Sequence, residues 1–426
     1  MRKSGLILIF ILFLSFSFNM EAIYGATISL TPGQSIQIAI NSASPGDTIY
    51  LSSGIYVESF TINKRVSIVG SGPSTILRRS TNNPVIRITS SGASGAPILI
   101  KDLRIEPDGR YGIEIPNGQS ISYISLENVS VVGSNLSHTE NEIGFKVASD
   151  ASIFYLSIKN SSFEYCDMGW YFAKHGDWFG GSIVQYVTVE NSSISYNDYK
   201  GIYVEKLSDA LFRNIKVYNN GTKDNWNQAW NGGFDINLKG MTYQNLIFEN
   251  LDVGGNGLRY REGAGVMIKA RDDGPTYGTY PASLNNVQIL GGTFSNNERG
   301  IRFGEPNQNN YGPTGVVIKD AQIYENKKSY SGSDGSIYGG VLNHAQTIVD
   351  ARYNWWGHIS GPYHPSLNSS GYGNAVSDKV DFRPWNIKQS KSLIPIEGII
   401  KLVGVGKGNR NIGEIIEDSN SSNLDK

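Results

Sequence analysis

VTVENSSISYN (187–197) and LFRNIKVYNN (211–220) repeat one frame: apolar-x-apolar-x-Asn-x-x-apolar-x-x-Asn. LSIKNSSFEYC (156–166) and LIFENLDVGGN (246–256) share it, and VQILGGTFSNN (287–297) and VVIKDAQIYEN (316–326) keep it with Gly or Asp at the first turn. ISLENVSVVGS (124–134) and IVDARYNWW (348–356) are weaker copies, so the unit recurs about every 30 residues. A second unit, Gly-apolar-x-apolar, follows in GWYF (169–172), GIYV (201–204), GFDI (233–236), GVMI (265–268) and GIRF (300–303).

Each copy is too short to bury an apolar face alone, but stacked copies bury a continuous core. The apolar residues alternate, which places one face of a strand inward. Short strands separated by tight turns match the coils of a right-handed parallel β-helix, an all-β solenoid. Neighbouring coils then lie ~4.8 Å apart.

Two turn columns follow. Asn128, Asn160, Asn191, Asn214 and Asn250 form the first, continued by Gly291, Asp320 and Asp350. Asn197, Asn220, Asn256, Asn297 and Asn326 form the second, with Cys166, the single cysteine, in the same place. Asn tolerates turn conformations, and stacked amides bond from coil to coil. The expectation is that the first column is buried, which would silence the glycosylation sequons at Asn128, Asn160 and Asn191; Asn220 and Asn368 would be the more exposed acceptors. Cys166 reads as a small buried substitute in the ladder.

The ends bound the solenoid. Arg2 and Lys3 precede an apolar run, Leu6 to Phe18, short for a membrane span and suited to a signal peptide over 1–25. Ile36, Ala39, Ile40 and Ala43 recur at helical spacing behind Ser35, a good N-cap, and predict a short helix capping the open end. The β-helix domain is expected over 26–387, with 388–426 a tail or cap whose end is disordered. The formal net charge is −1, without a long basic run, which disfavours nucleic acid as a partner. A secreted or cell-surface monomer without stable membrane insertion is expected.

The helix followed by PGDTIYL and GIYVE, the Asn-ladder coils, and NWWG (354–357) with SGP (360–362) resemble the pectin-lyase-like superfamily of right-handed parallel β-helix proteins. The resemblance spans roughly residues 27–387. It implies a carbohydrate-active protein without specifying lyase, hydrolase, epimerase or non-catalytic surface protein.

Aligning the second units on their glycine gives the outward residues. The third position reads Glu114, Lys146, Tyr171, Tyr203, Asp235, Met267, Arg302 and Leu342. Later positions add Glu205, Asn237, Lys239, Lys269 and Arg271. Three neighbouring stretches, 175–181, 222–232 and 270–282, carry aromatics including Trp226, Trp230, Tyr277 and Tyr280. Aromatic rings there, with Tyr171, Tyr203 and Asn237, could hold sugar. The leading expectation is β-elimination on a uronic-acid polysaccharide, with Lys269, Arg271 and Arg302 as base or charge stabiliser. Ca²⁺ on Asp272 and Asp273 would assist. The runner-up is a glycoside hydrolase using Glu205 and Asp235. A non-catalytic polysaccharide-binding protein is the third reading. Asp235, Lys269 and Arg302 are all expected at the exposed surface.

Overall fold

A computed structural model describes residues 25–134, 142–176, 181–222, 231–258, 262–326 and 337–389. Residues 1–24, where the signal peptide is expected, Trp226, Trp230 and residues 390–426, the expected tail or cap, lie outside the described residues. The strands stack in parallel, coil on coil. Ten described strands, from Phe60–Ile62 to Val341–Asn343, form one continuous sheet, and the remaining strands build the other walls. The expected all-β parallel β-helix is therefore present. Its core is a column of Ile, Val, Leu and Phe, with Phe145, Trp170 and Phe172 packed face and edge at 5.4–6.2 Å.

The entry helix forms as its spacing predicts, over Ile36–Ser42, with Ile36, Ala39 and Ile40 buried. Ser35 caps it by accepting from the Ile38 N–H at 3.2 Å. Glu58 from the first coil reinforces that end: its carboxylate accepts from the Ile36 N–H at 2.6 Å and the Gln37 N–H at 3.1 Å. Both bonds satisfy amides that a helix cannot pair internally.

The two asparagine columns exchange the roles expected of them. The second is the buried ladder: each side-chain amide donates to the next Asn Oδ1, Asn197 to Asn220 at 2.9 Å, Asn220 to Asn256 at 3.0 Å and Asn256 to Asn297 at 2.8 Å. Cys166 continues it, buried, with its N–H donating to Asn197 Oδ1. The first column is mostly exposed. Asn128, Asn160, Asn191, Asn214 and Asn250 all have φ between 49° and 55°. They serve the left-handed turn, which Asn adopts at little cost, and form an exposed ladder in which the Asn214 amide donates to Asn191 Oδ1 at 2.9 Å and the Asn250 amide to Asn214 Oδ1 at 2.8 Å. The sequons at Asn128, Asn160 and Asn191 are thus on the surface, whereas Asn220 is fully buried.

This distinction predicts unequal mutational costs. Asn256→Ala removes the partner of the Asn220 N–H and of two carbonyls, those of Val217 and Gly254. Leaving buried groups unpaired costs about 1–3 kcal/mol each, so its melting temperature should fall clearly. Asn191→Gly keeps the left-handed turn and should melt close to wild type. Equal melts for the two variants would contradict the assignment.

Candidate functional site

The outward register of the ten-stranded sheet is as the glycine alignment gives it. Glu114 pairs with Lys146, Lys146 with Tyr171, Tyr171 with Tyr203, Tyr203 with Asp235, Asp235 with Met267, and Met267 with Arg302. Asn237 pairs with Lys269 one row on.

Direction and exposure part company here. Every residue of the strands Gly232–Leu238 and Ala264–Ala270 is buried. Asp235 and Arg302 are 0% exposed and Lys269 is 2%, so the expected surface position is corrected for all three. The physical reason is that charged partners from the strand ends meet them, Lys200 at the start of its strand, Glu262 before one and Glu305 after another. Asp235 Oδ2 meets Lys200 Nζ at 2.6 Å and its Oδ1 meets Lys269 Nζ at 2.9 Å. Lys269 also meets Glu305 Oε2 at 3.2 Å, and Arg302 meets Glu262 at 3.5 Å. Burial opposes the charge on Asp235, but the two ammoniums together hold its carboxyl well below the usual range.

The residues proposed from sequence as metal ligands are otherwise engaged. Arg271 grips Asp273 with two bonds of 2.7 and 2.8 Å. Asn310 donates to Asp272 at 2.8 Å and to Asp273 at 2.7 Å, and the Tyr311 N–H reaches Asp272 at 3.0 Å. A carboxylate set answered by donors in this way does not fit Ca²⁺, which takes six or more oxygens. Among the described residues no group of three acidic, His or Cys side chains could hold a metal.

Toward the N-terminal coils Tyr171 and Tyr203 are half-buried, whereas Glu205 and Asn237, also expected outward, are buried. Tyr171 and Tyr203 stack at 5.3 Å. Tyr203 Oη donates to Glu205 Oε1 at 2.9 Å and accepts from Asn237 Nδ2 at 3.3 Å. Lys239 pairs with Glu205, whose other oxygen accepts from the Lys174 N–H. Burial pushes the Tyr203 phenol well above its ordinary range, helped by Glu205 and Asp235. Burial also works against the Glu205 charge, yet Lys239, the Lys174 N–H and Tyr203 leave its carboxyl below the usual value. Tyr277, half-buried on the short helix Gly274–Thr279, lies under the Arg271 guanidinium at 4.2 Å, and Tyr280 closes that helix.

Lys146 is the residue whose role the sequence did not reveal. It is half-buried, and its Nζ sits 3.5 Å from the centre of the Tyr171 ring and 5.7 Å from that of Tyr111. Among the described residues its ammonium makes no ion pair. Burial lowers it to about 8, against the pull of Glu205 and Glu114. A sequence signal was present, since Lys146 stands in the outward column beside Tyr171. What sets it apart is that Glu114 and Glu205 act on it from a distance without an ion pair among the described residues, which only the fold displays. Buried polar atoms without a hydrogen-bond partner also gather on this face, including Asn237 Oδ1 and Arg302 Nε. Such atoms are costly unless water or a ligand completes them.

No family model matches the sequence, and no curated protein does. Among solved structures the chain is similar to an alginate lyase from Paenibacillus sp. str. FPU-7, at 14% identity over 84% of this chain and 99% of that one, TM-score 0.46. It is similar to the pectate lyase Pel9A at 11% identity over 89% and 85% of the two chains, TM-score 0.42. It is also similar to the catalytic unit of an alpha-1,3-glucanase from Streptomyces thermodiastaticus strain HF3-3, at 13% identity over 86% and 71%, TM-score 0.40.

Proposed function

We propose that this protein is a polysaccharide lyase, acting outside the cell on a uronic-acid polymer. In such an elimination a base removes the proton alpha to the carboxylate and the C–O bond to the next sugar breaks. A C=C bond forms, and an acid returns a proton to the departing oxygen. Lys146 is the base, because an amine near pKa 8 is about one-tenth neutral at pH 7 and half neutral at pH 8, whereas an ordinary lysine is almost wholly charged. Tyr203, kept protonated by burial, is the acid. Lys239 and Arg271 are held by Glu205 and Asp273 and shape the floor beside Lys146, and the Tyr171 and Tyr277 rings, covered on their faces by neighbours, meet sugar with their edges. Asp235, Lys269 and Arg302 act from beneath, holding the cationic lattice in place. Glu205 positions Lys239 and Tyr203.

The observation carrying this reading is Lys146, half-buried over Tyr171 and without an ion pair among the described residues. The hydrolase alternative needs a carboxylic acid kept protonated. Glu205, Asp235 and Glu305 are all held toward the ionised form by neighbouring cations, which weighs against it.

The test is a panel of alginate, polygalacturonate and neutral glucans, read by ultraviolet absorbance of the unsaturated sugar end and by reducing ends. Matching gains in both signals on an acidic polymer are expected. Reducing ends without the absorbance would replace this reading by hydrolysis.

A further inference from the structure

Three consecutive coils carry tyrosines where the backbone is left-handed. Tyr123, Tyr155 and Tyr186 have φ of 58°, 63° and 59°. Tyr165 and Tyr196, at the next turn of the same coils, both have φ of 59°. A bulky residue with positive φ is an outlier. The same register positions in later coils are filled by residues suited to that conformation: Asp209, Asn245, Asn286 and Gly315 after Tyr186, and Asn219, Gly255 and Asn296 after Tyr196. Glu325, Tyr353 and Lys379 hold such a φ singly in the last coils, but among the described residues only these coils stack tyrosine on tyrosine there.

The rings are stacked and open to solvent. Tyr123 lies 4.6 Å from Tyr155 and Tyr155 4.8 Å from Tyr186, while Tyr165 lies 5.2 Å from Tyr196. Tyr155, Tyr186 and Tyr196 are each 45–46% exposed. Between the two ladders runs a surface of repeated small polar groups. Ser125, Ser157 and Thr188 are in register, as are Ser130, Ser162 and Ser193, with the outward Asn160 and Asn191 between them. In the following coil Leu211 and Lys216 replace the hydroxyls. Two shallow grooves cross this area, of about 420 Å³ beside the Tyr123–Tyr155–Tyr186 ladder and about 570 Å³ over the Asn and Ser rows.

The charges of this face cancel locally. Lys159 and Arg213 both pair with Glu190, at 3.4 and 3.0 Å, Arg213 also pairs with Glu249 at 2.6 Å, and Lys101 pairs with Glu127 at 2.8 Å. The surface thus offers hydroxyls and amides, which both donate and accept, framed by aromatic edges and without a net field. The ten-stranded sheet differs in carrying Lys146, whose ammonium makes no ion pair among the described residues.

We propose that this tyrosine-framed face is a second binding surface, for a neutral pyranose polysaccharide lying along the coil axis. It would tether the protein to uncharged glycan while the opposite face works on acidic polymer. The proposal does not depend on the lyase reading, because its test reads binding alone.

The test is native affinity electrophoresis in gels containing hydroxyethyl cellulose, galactomannan or alginate. Wild type should be retarded in at least one neutral gel. The double variant Tyr155→Asn, Tyr186→Asn should regain the mobility it has in a plain gel, while its melting temperature holds or rises, since Asn245 and Asn286 occupy the same position in later coils. Lys146→Arg should remain retarded in the neutral gel. Wild type without retardation in either neutral gel overturns the proposal. Equal retardation of the double variant also overturns it, and with a lowered melt would show the ladders to be structural only.

Discussion

Lys146→Arg is expected to lose elimination as completely as Lys146→Ala, by about 10²–10⁴-fold in kcat/KM, the range for removing a general base. The two substitutions separate charge from basicity. Arg keeps a cation over the Tyr171 ring but cannot shed its proton in this range. If Lys146 only neutralised substrate charge, Arg would restore most of the activity. The pH profile gives a second check. Lys146 must be neutral to act, so wild-type kcat/KM should climb roughly tenfold per pH unit below pH 8 and level off above it. A flat profile between pH 6 and about 8, or an active Lys146→Arg enzyme, would move the base elsewhere.

Asp235→Leu is expected to destabilise the fold by about 3–5 kcal/mol, the usual cost of stranding a buried charge. Here one carboxylate answers two ammoniums, Lys200 and Lys269. Lys269→Met should cost less, because Asp235 keeps Lys200 and Glu305 still faces the neighbouring Arg271 at 3.8 Å. The sign with pH follows from the depressed carboxyl. Its stabilisation is complete above the unfolded-state value near 4 and is lost as pH falls toward the lower folded-state value. Urea midpoints at neutral pH would show the difference between the variants, and indistinguishable midpoints for wild type and Asp235→Leu would refute the pairing.

The solenoid was legible because its apolar alternation and turn asparagines recur at fixed offsets, and because Ile36, Ala39 and Ile40 announce the cap. The outward column was legible residue by residue, from Glu114 to Leu342. Cover was not. The alignment says that Asp235, Lys269 and Arg302 point away from the core, but not that Lys200, Glu262 and Glu305 close over them. The asparagine columns were exchanged for a related reason: Asn191 and Asn197 are the same residue type at the same period, and only the sign of φ and the inward turn tell them apart. Asp272 and Asp273 read as free carboxylates because Arg271 and Asn310 meet them through folding, and Asn310 is remote in sequence. Lys146 depends on what is absent around it, which no motif records.

The inner ladder links partners 23, 36, 41 and 29 residues apart, from Asn197 to Asn326, yet every rung has nearly the same length. The amide column therefore works as a fixed spine from which excursions of any size can be hung. Closing a longer excursion between two fixed anchors costs little more than closing a short one. Loops over the candidate site could then be lengthened, shortened or exchanged in evolution while the coils below keep their register, so that one spine could carry a succession of specificities.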